Sequence, residues 1–257
     1  MPPPDPNERV TYREVHRDED LLVVEKRSGL VTVPGVGHEH DTLLNGLVAN
    51  DGDRLVNLGE SRGYGLLHRL DRETSGLVLV ALSVRAYDAM RAAFENREVE
   101  KFYWAMCDKP PREESGVVRL NIEEHVRRTG RYTSVRTARL IRSGPGGKPA
   151  LTAYRVLESN ELATLVEARP VTGRLHQVRV HLRSVGAAIL GDDEYGSKVA
   201  SGAAPRLALH AHRLRFAHPV SGEQMDFGSM FPKDLRTLLR RVGLKRPDLT
   251  DEQQAAG

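Results

Sequence analysis

Apolar positions along the chain switch between strand-like and helix-like spacing and predict a succession of short elements. Leu21-Leu22-Val23-Val24-Glu25-Lys26 reads as a strand, closed by turn signals at Gly29 and Pro34-Gly35. Asp41 or Thr42 can cap a short helix through Leu43, Leu44, Leu47 and Val48. The apolar run over residues 77–82 has the length and branching of a buried strand. Residues 83–97 give the clearest helix, with Ser83 as N-cap. Ala86, Met90, Ala93 and Phe94 form its stripe, and Arg85, Asp88 and Arg91 lie outside it. Residues 99–107 then alternate at period two. Phe102, Trp104 and Met106 share an expected core face, opposite Lys101, Tyr103, Ala105 and Cys107. Strands resume over 150–157 and 162–168. Thr172-Gly173 marks a turn that opens an amphipathic helix, with Leu175, Val178 and Leu182 at helical spacing. A final helix after Phe231 has Pro232 in its first turn and packs through Leu235, Leu238 and Leu239.

This pattern predicts one domain over residues 13–244, preceded by a proline-rich, disordered lead-in (1–12) and followed by a frayed polar tail (245–257). The net charge is only +3, but the basic residues are uneven in type, with 31 arginines against 7 lysines. Arginine's planar head suits phosphate and base edges, although coding bias produces the same excess. One cysteine, Cys107, excludes an intramolecular disulfide and any multi-cysteine zinc site. The N-terminal MPPPDPNERV is no secretory signal, and no apolar run approaches membrane-spanning length. A cytoplasmic protein without a membrane partner is expected.

The chemistry concentrates in three places. His68-Arg69-Leu70-Asp71-Arg72-Glu73-Thr74-Ser75 sits at the mouth of the 77–82 strand. Either it is a hydrogen-bonded turn, or Asp71 is a reactive carboxylate held beside a cation. A segment over 119–148 carries Arg119, Arg127, Arg128, Arg131, Arg136, Arg139, Arg142 and Lys148 with few acids, plus the loop Ser143-Gly144-Pro145-Gly146-Gly147. It reads as a solvated hairpin or as a contact to a nucleic-acid backbone. Residues 169–183, RPVTGRLHQVRVHLR, crowd Arg174, His176, Gln177 and Arg179 around a leucine stripe. The start of a helix after a glycine turn is a natural phosphate seat, and an arginine-rich surface helix is the plainer account. The histidines lack cysteine partners and an HExxH pattern, and neither a P-loop nor a dinucleotide fingerprint is present. No metal and no cofactor are expected.

HRLDRETSG at 68–76 resembles the signature of the RNA pseudouridine synthases of the RluA type. The likeness extends in order along the chain. Residues 22–30 resemble the family's first motif, with Arg27-Ser28 where the family has a proline and a small residue, which leaves that turn's geometry open. Lys101-x-Tyr103 resembles its lysine-tyrosine motif, Thr172-Gly173-Arg174 with His176-Gln177-Val178-Arg179 its third motif, and Leu209-His210-Ala211 with Leu214-x-Phe216-x-His218-Pro219 its closing strand. Together the likeness covers about residues 14–235.

The resemblance implies an α+β fold, a mixed, mainly antiparallel sheet with flanking helices and a central RNA-binding cleft. It implies conversion of uridine to pseudouridine in structured RNA, ribosomal or transfer, by a monomer that does not act on DNA and needs no energy source, since substrate and product are isomers. Asp71 would be the catalytic carboxylate, favoured to act through a glycal intermediate. Tyr103 would pack on the base and Arg179 would pair with Asp71. Arg69, His68, Thr74, Lys101, Arg174, His176 and Gln177 would bind substrate. Too few residues precede the first strand for the S4-type RNA-binding domain that many relatives carry. A catalytically silent RNA-binding or RNA-folding factor on the same scaffold is the alternative, as is a base-releasing glycosidase, which lowers the RNA mass where isomerisation keeps it constant.

Overall fold

The computed structural model describes residues 3–128, 134–141 and 146–248. Its elements in chain order are β1 (Arg13–Arg17), β2 (Leu21–Lys26), α1 (Leu43–Leu58), a 3-10 turn (Glu60–Gly65), β3 (Ser75–Ala81), α2 (Val84–Glu95), β4 (Glu100–Cys107), β5 (Ser115–Arg119), β6 (Asn121–Arg128) and β7 (Ser134–Ile141). There follow β8 (Leu151–Ser159), β9 (Thr164–Pro170), α3 (Gln177–Ser184), α4 (Lys198–Gly202), β10 (Leu209–Ala217), β11 (Gln224–Gly228) and α5 (Lys233–Arg241). The fold is a mixed, mostly antiparallel sheet with flanking helices. Two compact units divide the chain, one of residues 1–100 with 211–229 and one of residues 101–210 with 230–257. Among the described residues no helix is long and apolar enough to cross a membrane.

In the first unit the strand order is β1-β2-β3-β10, with β11 on β10. Every residue of β3 is buried, which is why its sequence is an unbroken apolar run rather than an alternation. Its core joins Leu77, Leu79 and Ala81 to Leu21 and Val23 of β2, Ala86 and Met90 of α2, and Leu214 and Phe216 of β10. Burying a side chain of this size is worth roughly 1.5–3 kcal/mol, so this cluster holds the strand that leads out of the polar signature. Helix α2 starts where its pattern predicts. Ser83 Oγ accepts from the Ala86 amide at 3.1 Å and donates to Asp20 at 2.6 Å. Thr42 rather than Asp41 caps α1, in a reciprocal box with Asn45. That helix runs well past the expected Val48, across a break at Asp51, whose carboxylate is gripped by Arg17 at 2.7 and 3.0 Å.

In the second unit the order is β4-β9-β8-β5, all antiparallel, and β6 and β7 form a separate two-stranded sheet. The expected alternation of β4 does not appear in its burial, since residues 100–103 are all half-buried alike. Trp104, Ala105, Met106 and Cys107 are all fully buried and Phe102 is only half-buried, so both faces of the strand's second half are core. Trp104 packs on Phe231, and the small Ala105 and Cys107 fill the other face, where burial pushes the Cys107 thiol up and leaves it inert. Helix α5 buries Leu235, Leu238 and Leu239 as expected, but Pro232 caps it instead of lying inside. The loop tip over 143–145, and the side chains of Arg127, Arg128, Arg131, Arg136 and Arg142, lie outside the described residues.

Gly76 is where the signature enters β3, and its backbone has φ 122°, which L side chains rarely adopt. A Cβ there would stand 2.2 Å from the Ala211 carbonyl oxygen of β10. Gly76→Ala is therefore expected to cost about 3 kcal/mol or more, or to abolish folding. Urea denaturation checks this, and a midpoint within error of wild type would refute it.

Candidate active site

Asp71 lies half-buried at the head of a short turn, closed by the Thr74 amide donating to the Asp71 carbonyl at 3.1 Å. Both neighbours are clamped. Leu70 is held through its backbone by Thr32, whose hydroxyl donates to the Leu70 carbonyl at 2.8 Å and accepts from its amide at 3.3 Å. The Arg72 carbonyl accepts from the Gly29 amide at 2.9 Å and from the Lys26 ammonium at 3.0 Å. Lys26 is fully buried and also donates to the carbonyls of Arg27 (3.0 Å) and Leu30 (2.6 Å). One cation thus organises the turn over 27–30 and ties it to the residue after Asp71.

The atypical Arg27-Ser28 pair fits this arrangement. Ser28 Oγ donates to the Glu73 carbonyl at 2.8 Å, a cross-link from this turn to the signature loop. His68, expected to bind substrate, faces inward by one nitrogen: its Nε2 accepts from the Leu79 amide of β3 at 3.0 Å, and its ring lies 5.5 Å from that of Phe94. Arg69 is exposed, as a substrate contact must be. Thr74 is buried, and its hydroxyl has no hydrogen-bond partner among the described residues.

The second unit carries the other expected residues. Lys101 and Tyr103 lie at the half-buried start of β4, where Tyr103 pairs with Ala168 of β9. Burial pushes the Lys101 ammonium down to about 8. It lies against the glycine turn, since a Cβ on Gly173 would be 3.8 Å from Lys101 Nζ.

That turn does not open the helix where the pattern predicts. Helix α3 begins only at Gln177, with His176 at φ 51° as its cap, so Leu175 lies outside it. The reason is the Gln177 side chain. Its Oε1 accepts from Thr172 Oγ1 (2.7 Å) and the Arg174 amide (3.0 Å), and its Nε2 donates to the Leu151 carbonyl and Thr152 Oγ1, both at 2.9 Å. Both donors and both acceptor sites of this 4% exposed amide are used, so Gln177, expected to touch substrate, positions the turn instead. Thr152 passes its own proton to His181 Nδ1 at 2.9 Å, while His181 Nε2 faces the Leu120 carbonyl at 3.4 Å. Arg174 donates from Nε to the Pro149 carbonyl at 3.1 Å.

Arg179 projects from α3 onto Asp192, with Nε to Oδ2 at 2.9 Å and Nη2 to Oδ1 at 2.7 Å. Burial raises the Asp192 carboxyl, but the guanidinium outweighs it and holds it below the usual carboxylate range. The guanidinium also lies 4.8 Å from the centre of the Tyr195 ring. His176 Nδ1 meets the Tyr195 hydroxyl at 2.7 Å. Sequence reasoning missed Lys26, Thr32, Asp192 and Tyr195 as parts of the site. The available signal for the last two was an acidic, aromatic string between Gly191 and Gly196.

Comparison with known proteins covers most of the chain. Residues 20–184 match the family model described as RNA pseudouridylate synthase. Ribosomal large subunit pseudouridine synthase D of Zymomonas mobilis is 38% identical over 236 residues, which span 89% of this chain and 72% of that protein. Its namesake from Nitrosomonas europaea is 35% identical over 91% of this chain and 66% of its own length. Among solved structures, human RNA Pseudouridylate Synthase Domain Containing 4 superposes with a TM-score of 0.67 at 26% identity, covering 92% of this chain and 95% of that one.

Two outcomes are expected from the clamps. Lys26→Met leaves three carbonyls without their buried donor and should cost about 3 kcal/mol or more in urea denaturation; a loss under 1 kcal/mol, by the same principle roughly one ordinary hydrogen bond, would contradict the clamp. Burial pushes the His181 imidazole from 6.5 down to about 4. Unfolded chains therefore take up that proton first on acidification, and the stability present above pH 6.5 is lost as pH falls towards 4, by about 3 kcal/mol. Denaturation at stepped pH should show a shallower acid loss for His181→Leu than for wild type, and parallel curves would refute the assignment.

Proposed function

The chain belongs to the RluA-type pseudouridine synthase family, and from that premise we propose that it isomerises selected uridines of large-subunit ribosomal RNA, with Asp71 as its catalytic carboxylate. It is an isomerase acting on RNA. The choice of ribosomal over transfer RNA is supported by the names of the relatives described above. A cytoplasmic, monomeric enzyme goes with this reading, with residues 13–244 as one catalytic domain and the arginine-rich 119–148 segment on the RNA backbone.

The reaction breaks the N1–C1′ bond, turns the base and joins C5 to C1′, moving one hydrogen from C5 to solvent and one from solvent to N1. The uridine has to leave its stack first, which calls for an aromatic surface and for cations along the backbone. In this reading Tyr103 supplies that surface, Arg179 a positive charge for the reaction, and Arg69 a contact to the displaced nucleotide. Lys101 and Arg174 contribute charge toward phosphates.

The observation that carries the proposal is the double clamp around Asp71. Leu70 and Arg72 are both fixed through their backbones by side chains from the first motif's neighbourhood, which holds the carboxylate's Cα before RNA arrives. Such preorganisation is what a reactive carboxylate requires and what a mere surface turn does not.

Asp71→Asn keeps the shape and removes the charge. Single-turnover assays on ribosomal RNA transcripts should show pseudouridine formation falling by roughly 10³-fold or more, with RNA affinity within about threefold because phosphate contacts dominate binding. Carbodiimide mapping of ribosomal RNA from cells lacking the gene should lose a site that wild type restores and Asp71→Asn does not. Wild-type rates for the variant would end the assignment of Asp71, and a site lost from transfer RNA alone would overturn the choice of substrate.

A further inference from the structure

We propose that Tyr195 is a positioning residue for Arg179 and makes that arginine's placement depend on the β6–β7 hairpin; this rests on the reading of Arg179 as part of the catalytic machinery. Tyr195 and Asp192 both lie beyond residues 20–184, the stretch matched by the family model.

The tyrosine hydroxyl accepts from the Ala138 amide of β7 at 2.7 Å. The same hydroxyl hydrogen-bonds His176 Nδ1, also at 2.7 Å, at the cap of α3. Its ring packs edge-on to His176 and beneath the Arg179 guanidinium, 4.8 Å from the ring centre. Asp192 completes the seat from the other side, accepting Arg179 in two bonds and the Tyr195 amide in a third at 2.9 Å.

Apolar contacts join the same partners. Tyr195 and Val180 of α3 belong to one small core with Ile122 of β6 and Ala138 of β7. A buried phenol held by two hydrogen bonds resists movement, because breaking either leaves a desolvated polar group at a cost of about 1–3 kcal/mol. Displacing β7 therefore acts on the cap of α3 and on the surface beneath Arg179 together. On the hairpin surface Arg139 is exposed and His125 half-exposed, both within hydrogen-bond distance of Glu123.

Tyr195→Phe keeps the ring and loses both hydroxyl bonds, so it separates positioning from packing. On a ribosomal RNA transcript, its single-turnover rate should fall roughly tenfold while RNA affinity stays within about twofold. A double-mutant cycle with Arg179→Lys, which keeps the charge and loses the bidentate grip, gives the decisive readout. If Tyr195 acts through Arg179, the double variant is no slower than Arg179→Lys alone. Multiplying losses, or a Tyr195→Phe rate equal to wild type, would overturn the proposal. The Arg179 Nε–H signal in NMR reads the placement without any turnover: it should shift in Tyr195→Phe, and an unmoved signal also overturns the idea. A wild-type enzyme that binds RNA but forms no pseudouridine would defeat the functional reading instead, leaving the NMR comparison to decide the positioning role.

Discussion

A lysine ammonium removed from water is among the more expensive objects a protein can bury, costing several kcal/mol unless its protons are matched. Lys26 meets that condition with three carbonyls from Arg27, Leu30 and Arg72. Each of those carbonyls lies in a segment without a regular ladder, so the cation replaces the sheet as the source of order there. Contacts of Ser28, Gly29 and Thr32 with the signature loop add to that order. A half-buried carboxylate at Asp71 is useful only if its backbone is fixed, and the fixing begins at Lys26.

The second unit reaches a similar end with neutral groups. Gln177 spends its whole amide on Thr172, Arg174, Leu151 and Thr152, and the chain continues through Thr152 to a neutral His181. A neutral network avoids the desolvation cost of a charge. In the first unit, Ser28 shows the same economy at a smaller scale. A hydroxyl on the Glu73 carbonyl ties the turn over 27–30 to the signature loop without a charge.

The arginine excess has two meanings that composition cannot separate. Arg17 grips Asp51, Arg62 grips Asp88, Arg206 grips Asp234 and Arg213 grips Asp226, each through two guanidinium nitrogens. These pairs tie segments distant in sequence and offer little net charge to a polyanion. Exposed ones such as Arg62 with Asp88 add little stability either. Part of what looked like an RNA-binding composition is therefore internal stitching.

By itself the sequence determined the elements with strong local signals: the β2 strand, the unbroken apolar β3, the Ser83-capped helix and the three leucines of α5. It also marked the polar signature over 68–75 as a local contrast at the mouth of an apolar strand, and the resemblance of HRLDRETSG to the family signature pointed within it to Asp71. Where local pattern failed, a distant partner had overridden it. Helix α3 starts late because Gln177 bonds β8, α1 runs on past Val48 and breaks at Asp51 within the grip of Arg17, and β4 loses its alternation because its second half is covered on both faces. Only the tertiary structure decided that Gln177 supports rather than contacts, that Lys26 is the buried clamp, and that Asp192 and Tyr195 seat Arg179. Those roles are set by hydrogen bonds between segments 13 to 57 residues apart, and a chain read in order carries no signal of which distant donor will meet which acceptor.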